Sequence, residues 1–416
     1  MKAVVYKVNP AGWALCRLLQ RAWPSCLCTR LNGLSLRELP APPLPGADWV
    51  RCRTLLGGIC GTDLNIIAQR QPPNSILQAF SSMPMVLGHE NVAVVEHLGP
   101  QVPAEWLGKR VCVDPSLGCR QRGVSPLCPQ CRKGNYGACE SFWGPAGGKC
   151  DIPAGTSIGY NSATGGSLGQ QFVAHVSQLV EVPGPISDEE ALLTDPIACS
   201  LHSVLRARLD DAAKVLVYGA GVLGLGVVAC LRATGYTGCI DVIARGPNAA
   251  LAKTFGADEV LSLPPDRRAR FEAIAARTGA RMHRVRFGNL MLSGGYNAVF
   301  DCVGTASSIN ESLKWAASRG QVVIIGTGAG GRMDLTPVWF GELEVIGAYG
   351  RQDEHYDGRR ISTYALVHKL MLDKRIDARR LLTHAFRLDQ WKTAVAAALN
   401  KRISGALKVA IDFRQN

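Results

Sequence analysis

Residues 119 to 139 read C-R-Q-R-G-V-S-P-L-C-P-Q-C-R-K-G-N-Y-G-A-C, and this spacing constrains the fold more than any other feature. Cys128, Cys131 and Cys139 follow a C-x2-C-x7-C pattern, and Cys119 stands upstream with eight residues between it and Cys128. Four thiolates from one short segment containing Gly and Pro can close a tetrahedron around Zn²⁺ and leave no open position. Such a centre ties a loop together and performs no chemistry.

At 416 residues the chain is too long for one ordinary core, so two domains are expected. Several of the 15 cysteines sit in ligand spacing. Met1 to Val8 reads as a β-strand and not as a cleavable leader, so reduced thiols and a cytoplasmic location are expected. The 46 Lys+Arg against 33 Asp+Glu give a net charge of +13. No basic run interleaves with aromatics, so nucleic acid is not an expected partner. The charge reads as a scattered Arg surface that would also suit a phosphate-bearing cofactor.

Residues 12 to 31 are apolar with Arg17, Gln20, Arg21 and Arg30 interspersed. Leu15, Leu18, Leu19, Ala22 and Trp23 recur at helical spacing, which predicts a helix from about Gly12 to Trp23 ended by Pro24. It is too short and too charged to span a bilayer. Its apolar face is expected to bury against the body or a sister subunit.

The first 180 or so residues alternate β-like runs with Gly- and Pro-rich turns: Trp49–Leu56, Asn91–Leu98, Arg110–Asp114 and Gln171–Val182. Gly144 to Gly169 reads as loop. Beyond Asp188 the texture becomes alternating strands and helices, the mark of a doubly wound parallel sheet. Arg267 to Arg286 reads as a surface helix with an irregular extension. From about Gly350 the pattern is helical and ends in the strand-like Ala406–Asp412.

Cys60-Gly61-Thr62-Asp63 and Gly88-His89-Glu90 form the next constellation. A catalytic zinc needs three protein ligands and one exchangeable position. Cys60 and His89 supply two. Asp195, where the β-rich half gives way to the α/β half, is a candidate third; it is equally a plain helix N-cap. Cys199 and His202 rank lower, and Glu90 could ligate directly or from outside the ligand shell.

Val215 to Ala229 reads V-L-V-Y-G-A-G-V-L-G-L-G-V-V-A. Gly219, Gly221 and Gly224, with Val222 and Leu223 between, follow a β run and open an apolar helix, the context a dinucleotide-binding turn requires. The three glycines permit the tight turn, the approach of a pyrophosphate and close helix–strand packing. The helix N-terminus then faces the phosphates.

The order C-G-T-D, G-H-E, four-cysteine lobe, D-P-I-A-C-S-L-H-S-V and G-A-G-V-L-G resembles the zinc-dependent medium-chain alcohol and polyol dehydrogenases, over nearly the whole chain. The resemblance implies an α/β fold in which a GroES-like β-rich catalytic domain is paired with a doubly wound Rossmann domain. Expected boundaries are 1–195 (zinc lobe about 112–140), 196–349, and 350–416 completing the catalytic domain. It implies that Cys60, His89 and Asp195, with Glu90 alongside, hold the catalytic zinc, and that Thr62 relays the substrate proton. A homodimer or homotetramer acting on a small alcohol or carbonyl is expected. Three departures stand out: Ser125 occupies the lobe's usual first cysteine position, so Cys119 must substitute; Asn65 replaces a frequent His; and residues 11 to 32 are an insertion.

An NAD-selective turn usually places Asp or Glu about 20 residues beyond the glycines, to accept from the ribose. Here that position is Ala244, followed by Arg245, whose guanidinium can grip a 2′-phosphate. NADP(H) is therefore expected over NAD(H). Two rival readings are a zinc-free enone or quinone reductase, which needs only the nucleotide site, and a non-enzymatic zinc-containing binding protein.

Overall fold

The computed structural model describes every residue except 72–73, 143–148, 151, 327–329 and 415–416. The chain divides into two compact units: Met1–Asp195 with Arg351–Leu372 and Asp377–Asn416, and Pro196–Gly350 with Asp373–Ile376.

The first unit is built on the long strand Trp49–Ile59. Its β-branched and apolar residues suit a surface covered on both sides. One edge pairs antiparallel with Glu90–Leu98, which continues through Arg110–Val113 to Leu179–Glu181. The other pairs with Gln171–His175 along its first half and with Lys408–Asp412 along its second. Leu382–Arg387 runs parallel to that C-terminal strand and closes the order. A second sheet orders Leu34–Glu38, Lys2–Tyr6 and Met85–Val86. The two larger apolar clusters of the unit gather around Trp49, Val111 and Phe172 and around Tyr6, Ile67, Met85 and Trp391. The run expected as one strand over Gln171–Val182 is two strands, because a 3-10 turn at Val176–Gln178 is capped by the His175 side chain. The expected loop 144–169 lies partly outside the described residues.

The insertion forms helix α1, Pro10–Leu19, started by Pro10 and by the Asn9 side chain accepting from the Ala11 and Gly12 amides. A 3-10 turn, Pro24–Cys28, follows. The expected apolar face does not pack against the body of this chain. Leu15, Leu18 and Trp23 are exposed, Leu18 to 79%, while Cys16, Cys26, Leu27 and Cys28 turn inward. The helix stops at Leu19, so residues 20–23 do not continue the helical period that placed Trp23 on the Leu15 face. What sinks into the core is the opposite, thiol-bearing side.

The second unit holds six parallel strands in the order Glu259–Leu261, Cys239–Ile243, Lys214–Tyr218, Tyr296–Asp301, Ala316–Ile324 and Glu344–Gly347. The buried runs K-V-L-V-Y and C-I-D-V-I are the near-continuous apolar stretches that a sheet covered on both faces requires. Arg267–Thr278 is a helix as expected, but its extension is regular: Arg281–Arg284 pairs antiparallel with Leu290–Ser293. The alternating exposure of that pair hid it among arginines.

Candidate metal and nucleotide sites

The strand Trp49–Ile59 delivers its chain directly into helix α2, Gly61–Ile67, with Cys60 as the N-cap. Asp63 accepts from the Cys60 amide at 2.8 Å, and the Tyr160 hydroxyl donates to Asp63 at 2.9 Å, so the turn carrying the thiol is fixed from both sides. Across the sheet, Gly88 turns with φ +92, where a Cβ would strike the Ser167 side chain at 2.6 Å. That turn presents His89 and Glu90. Gly58 faces Glu90 so closely that a Cβ there would lie 2.2 Å from its Oε2. The ligand atoms of Cys60, His89 and Glu90 lie within 4.8 Å of one another.

Asp195 is also at hand, in the first turn of the helix Thr194–Arg206. Its Oδ2 is 3.8 Å from His89 Nε2. Its Oδ1 accepts from Arg351 and, at 2.7 Å, from the Tyr364 hydroxyl. Glu90 is likewise matched by a cation: Lys408 Nζ lies 2.6 and 2.5 Å from its two oxygens. Thr62 Oγ1 is 3.9 Å from Cys60 Sγ. Cys199 and His202 lie further along the Asp195 helix, in the second unit.

Burial pulls the His89 pKa down, but Cys60, Asp195 and Asp63 outweigh it and lift it to about 10. A site that raises a buried imidazole so far is short of positive charge, a deficit a divalent cation would fill. The buried His89 Nδ1 also lacks a hydrogen-bond partner. Thiolate, imidazole and carboxylate oxygen are all zinc ligands, so the residues fit the metal.

The lobe gathers Cys119, Cys128, Cys131 and Cys139, whose sulfurs again lie within 4.8 Å of one another. Backbone amides point at them: Cys128 N to Cys119 Sγ at 3.4 Å, Cys131 N to Cys128 Sγ at 3.4 Å, and Ser141 N to Cys139 Sγ at 3.3 Å. Hydrogen bonding from Cys131 draws the Cys139 thiol down to about 5 against the opposing effect of burial. Such donors hold thiolates and so fit a closed zinc centre. Arg122, fully buried beneath the lobe, donates to the carbonyls of Leu117, Ile152, Pro153 and Gly155 and places its positive charge near Cys139 and Cys119.

In the second unit, Gly219 turns with φ +103 and Gly224 packs so tightly that a Cβ would lie 1.8 Å from the Gly219 carbonyl. Val222 opens the helix Val222–Ala233, with Leu223 behind it. A Cβ at Gly221 would meet nothing within 4 Å, which leaves room for a pyrophosphate against the backbone. Ala244 is buried directly after the strand Cys239–Ile243, and Arg245 is exposed. Asp241, the nearest carboxylate, is buried and already engaged by Arg277 at 2.8 Å and by the Tyr296 hydroxyl at 2.7 Å.

Sequence reasoning missed Lys408, Arg351, Tyr364 and Tyr160, and named Asp63 only as the last residue of the C-G-T-D motif. Lys408 left a trace as the one charge entering the apolar strand of A-L-K-V-A-I. Arg351 and Tyr364 come from a distant C-terminal stretch whose pairing no local spacing announces.

Comparison with known proteins agrees with this geometry. The alcohol dehydrogenase GroES-like domain matches residues 46–184, and the zinc-binding dehydrogenase domain matches residues 222–363. A sorbitol dehydrogenase of Arabidopsis thaliana is 25% identical over 384 residues, covering 92% of this chain and 93% of that protein. An alcohol dehydrogenase of E. coli CFT073, solved with NADH, superposes with a TM-score of 0.72 at 21% identity over 99% of both chains. A zinc-binding dehydrogenase of Sinorhizobium meliloti 1021, bound to NADP, gives 0.68 at 24% identity over 93% and 97%. At such identities the two structures speak to the fold. With both domain families matched in order, the chain belongs to the zinc-dependent medium-chain dehydrogenases, oxidoreductases that work with a nicotinamide cofactor.

Proposed function

We propose that this enzyme exchanges hydride between the hydroxyl-bearing carbon of an alcohol or polyol, or its carbonyl product, and a nicotinamide. The observation that carries the reading is the meeting of Cys60, His89 and Glu90 at the start of the helix that bears Thr62. Zinc held there would polarise the substrate oxygen, and the nicotinamide would accept or return the hydride.

The chain's own residues do the rest. Cys60 and His89 supply two ligands. Glu90 supplies the third, its surplus charge tempered by Lys408. Asp195, committed on one oxygen to Arg351 and Tyr364, keeps the other toward His89 and orients it. The Thr62 hydroxyl, 3.9 Å from the Cys60 thiol, relays the proton leaving the substrate oxygen, accepting it while its own proton passes on to solvent. Cys119, Cys128, Cys131 and Cys139 hold a second, structural zinc.

For the cofactor we favour NADP(H). Asp241 is spent on Arg277 and Tyr296, Ala244 offers no carboxylate, and Arg245 is exposed where a 2′-phosphate would lie. The subunits are read as pairing into dimers or tetramers through the second unit, whose edge strand Glu344–Gly347 and neighbouring Leu335, Trp339 and Phe340 expose apolar surface. Among the described residues no helix is long and apolar enough to cross a membrane. The 15 free cysteines suit the reducing cytoplasm.

The test is zinc content together with a screen of alcohols and polyols read by nicotinamide absorbance. Cys60→Ala should lose one zinc and all turnover; full activity without zinc would sink the proposal. On the cofactor side, Arg245→Ala should lower kcat/KM for NADP(H) about 10- to 100-fold, the loss of one charge-assisted contact, and leave NAD(H) unchanged. A wild type that prefers NAD(H) refutes the assignment.

A further inference from the structure

The insertion carries three cysteines that neither zinc site uses: Cys16, Cys26 and Cys28, all buried. Cys16 projects from the inner side of α1, and Cys26 sits in the 3-10 turn that follows. Their sulfurs are 3.0 Å apart, and Cys26 Sγ also approaches the Cys16 carbonyl at 3.7 Å. A disulfide bond is about 2.05 Å long, so closing the pair asks for about 1 Å of motion. The same segment grips the far end of α2. Asn32 donates to the Ile67 carbonyl at 2.7 Å, Gln69 donates to the Trp13 carbonyl at 2.9 Å, and Arg17 donates to the Gln69 carbonyl at 3.0 Å. The near end of α2 is Cys60.

We propose that Cys16 and Cys26 form a reversible disulfide that locks the insertion around the helix supporting the catalytic metal site. The oxidant is a low-molecular-weight disulfide. One cysteine sulfur attacks it and expels a small thiol; the second cysteine displaces that mixed disulfide and expels another. Two cysteine S–H bonds are lost, one Sγ–Sγ bond forms, and the two protons and two electrons leave on the two small thiols. Burial, followed by its hydrogen bond to Cys26, raises the Cys16 thiol to about 12, which keeps the pair reduced until α1 lifts from the core. The exposed Leu15 and Leu18 side of that helix offers little to hold it down.

The test titrates the zinc-loaded protein with mixtures of reduced and oxidised glutathione, blocks remaining thiols, and maps cross-linked peptides by mass. Expected is a Cys16–Cys26 cross-link with the mass loss of two hydrogens, undone by dithiothreitol and retained in Cys28→Ser. Amide exchange over residues 61–69 should slow on oxidation. Three outcomes overturn the proposal: both thiols remain open to blocking, Cys28 proves to be the partner, or zinc leaves the lobe before the cross-link appears. The wild-type map alone decides the pairing, so the result stands even where Cys16→Ser fails to fold.

Discussion

The two units hold charged guests by opposite means. In the first, ionisable side chains are carried into the core and matched there: Glu90 by Lys408, Asp195 by Arg351, and the lobe sulfurs by backbone amides. In the second, the turn proposed to face the phosphates works by what it lacks: a Cβ would strike the Val303 side chain at 2.7 Å from Gly219 and the Gly219 carbonyl at 1.8 Å from Gly224, and at Gly221 the backbone stands open. A side-chain site can be broken by subtraction, because one lost partner strands a buried charge. A backbone site can be broken only by addition. The metal sites of the first unit should therefore be sensitive to pH, chelators and truncation, and the glycine turn of the second nearly indifferent to all three.

The largest effect belongs to the lobe. Structural zinc contributes its binding energy directly to folding, on the order of 10 kcal/mol. Cys119→Ser should thus yield mostly insoluble protein lacking one zinc. Cys112→Ser and Cys150→Ser should remain soluble with full metal content: Cys112 merely donates to the Ala191 carbonyl at 3.2 Å, and Cys150 is half-buried. Metal analysis of the soluble fractions checks this. Should Cys112 or Cys150 be the sensitive position, the ligand set is wrong and the contrast between the units loses its strongest support.

Lys408→Met comes next. It leaves Glu90 buried without its cation, a change that costs about 3–5 kcal/mol in comparable pairs. Both zincs should stay, because an uncompensated carboxylate attracts a cation more strongly. Lys408→Arg should recover most of the loss. Chemical denaturation with zinc analysis separates the cases. Loss of the catalytic zinc in Lys408→Met would mean that the lysine holds the site's shape and not its charge.

How far these sites were legible in the chain follows the same division. The glycine turn could be read in full, since its glycines, its preceding strand and its helix are contiguous from Val215 to Ala229. The four lobe cysteines were legible for the same reason, even with Cys119 displaced by a longer loop. The partners of Glu90 and Asp195 were not. Lys408 reaches Glu90 across 318 residues because their strands both pair with Trp49–Ile59, and Arg351, outside any strand, reaches Asp195 in the first turn of a helix across 156. Within this chain the insertion buries its other side, because amphipathic spacing in so short a helix names two faces and the thiols took the one with fewer leucines.

A milder test of the first unit's charge dependence is acid. Burial, with the Arg110 charge nearby, depresses His368 from 6.5 to about 4, and its Nε2 lies 3.0 Å from Thr194 Oγ1. The native state thus prefers the neutral ring, and the unfolded chain binds the proton first. Its stability contribution is complete above pH 6.5 and drains away as the pH falls toward 4, about 3 kcal/mol in all. His368→Gln should flatten that part of the stability–pH curve while leaving stability at pH 8 within about 1 kcal/mol. An unchanged acid limb in the variant would shift the acid sensitivity to other groups.

The smallest effect on stability, and the sharpest on binding, is expected at Gly221. Its backbone is extended, with φ −79 and ψ −171, a conformation any residue adopts, and a Cβ there would touch nothing. Gly221→Ala should therefore move the folding free energy by less than about 1 kcal/mol. The added methyl would occupy the space through which a pyrophosphate reaches the helix N-terminus. Dinucleotide affinity, measured by fluorescence titration, should fall by at least about 10-fold, a penalty of about 1.4 kcal/mol or more. Zinc content should not change, which distinguishes this variant from Cys60→Ala and Cys119→Ser. If Gly221→Ala binds the dinucleotide as wild type does, the open space beside it is not where the phosphates lie.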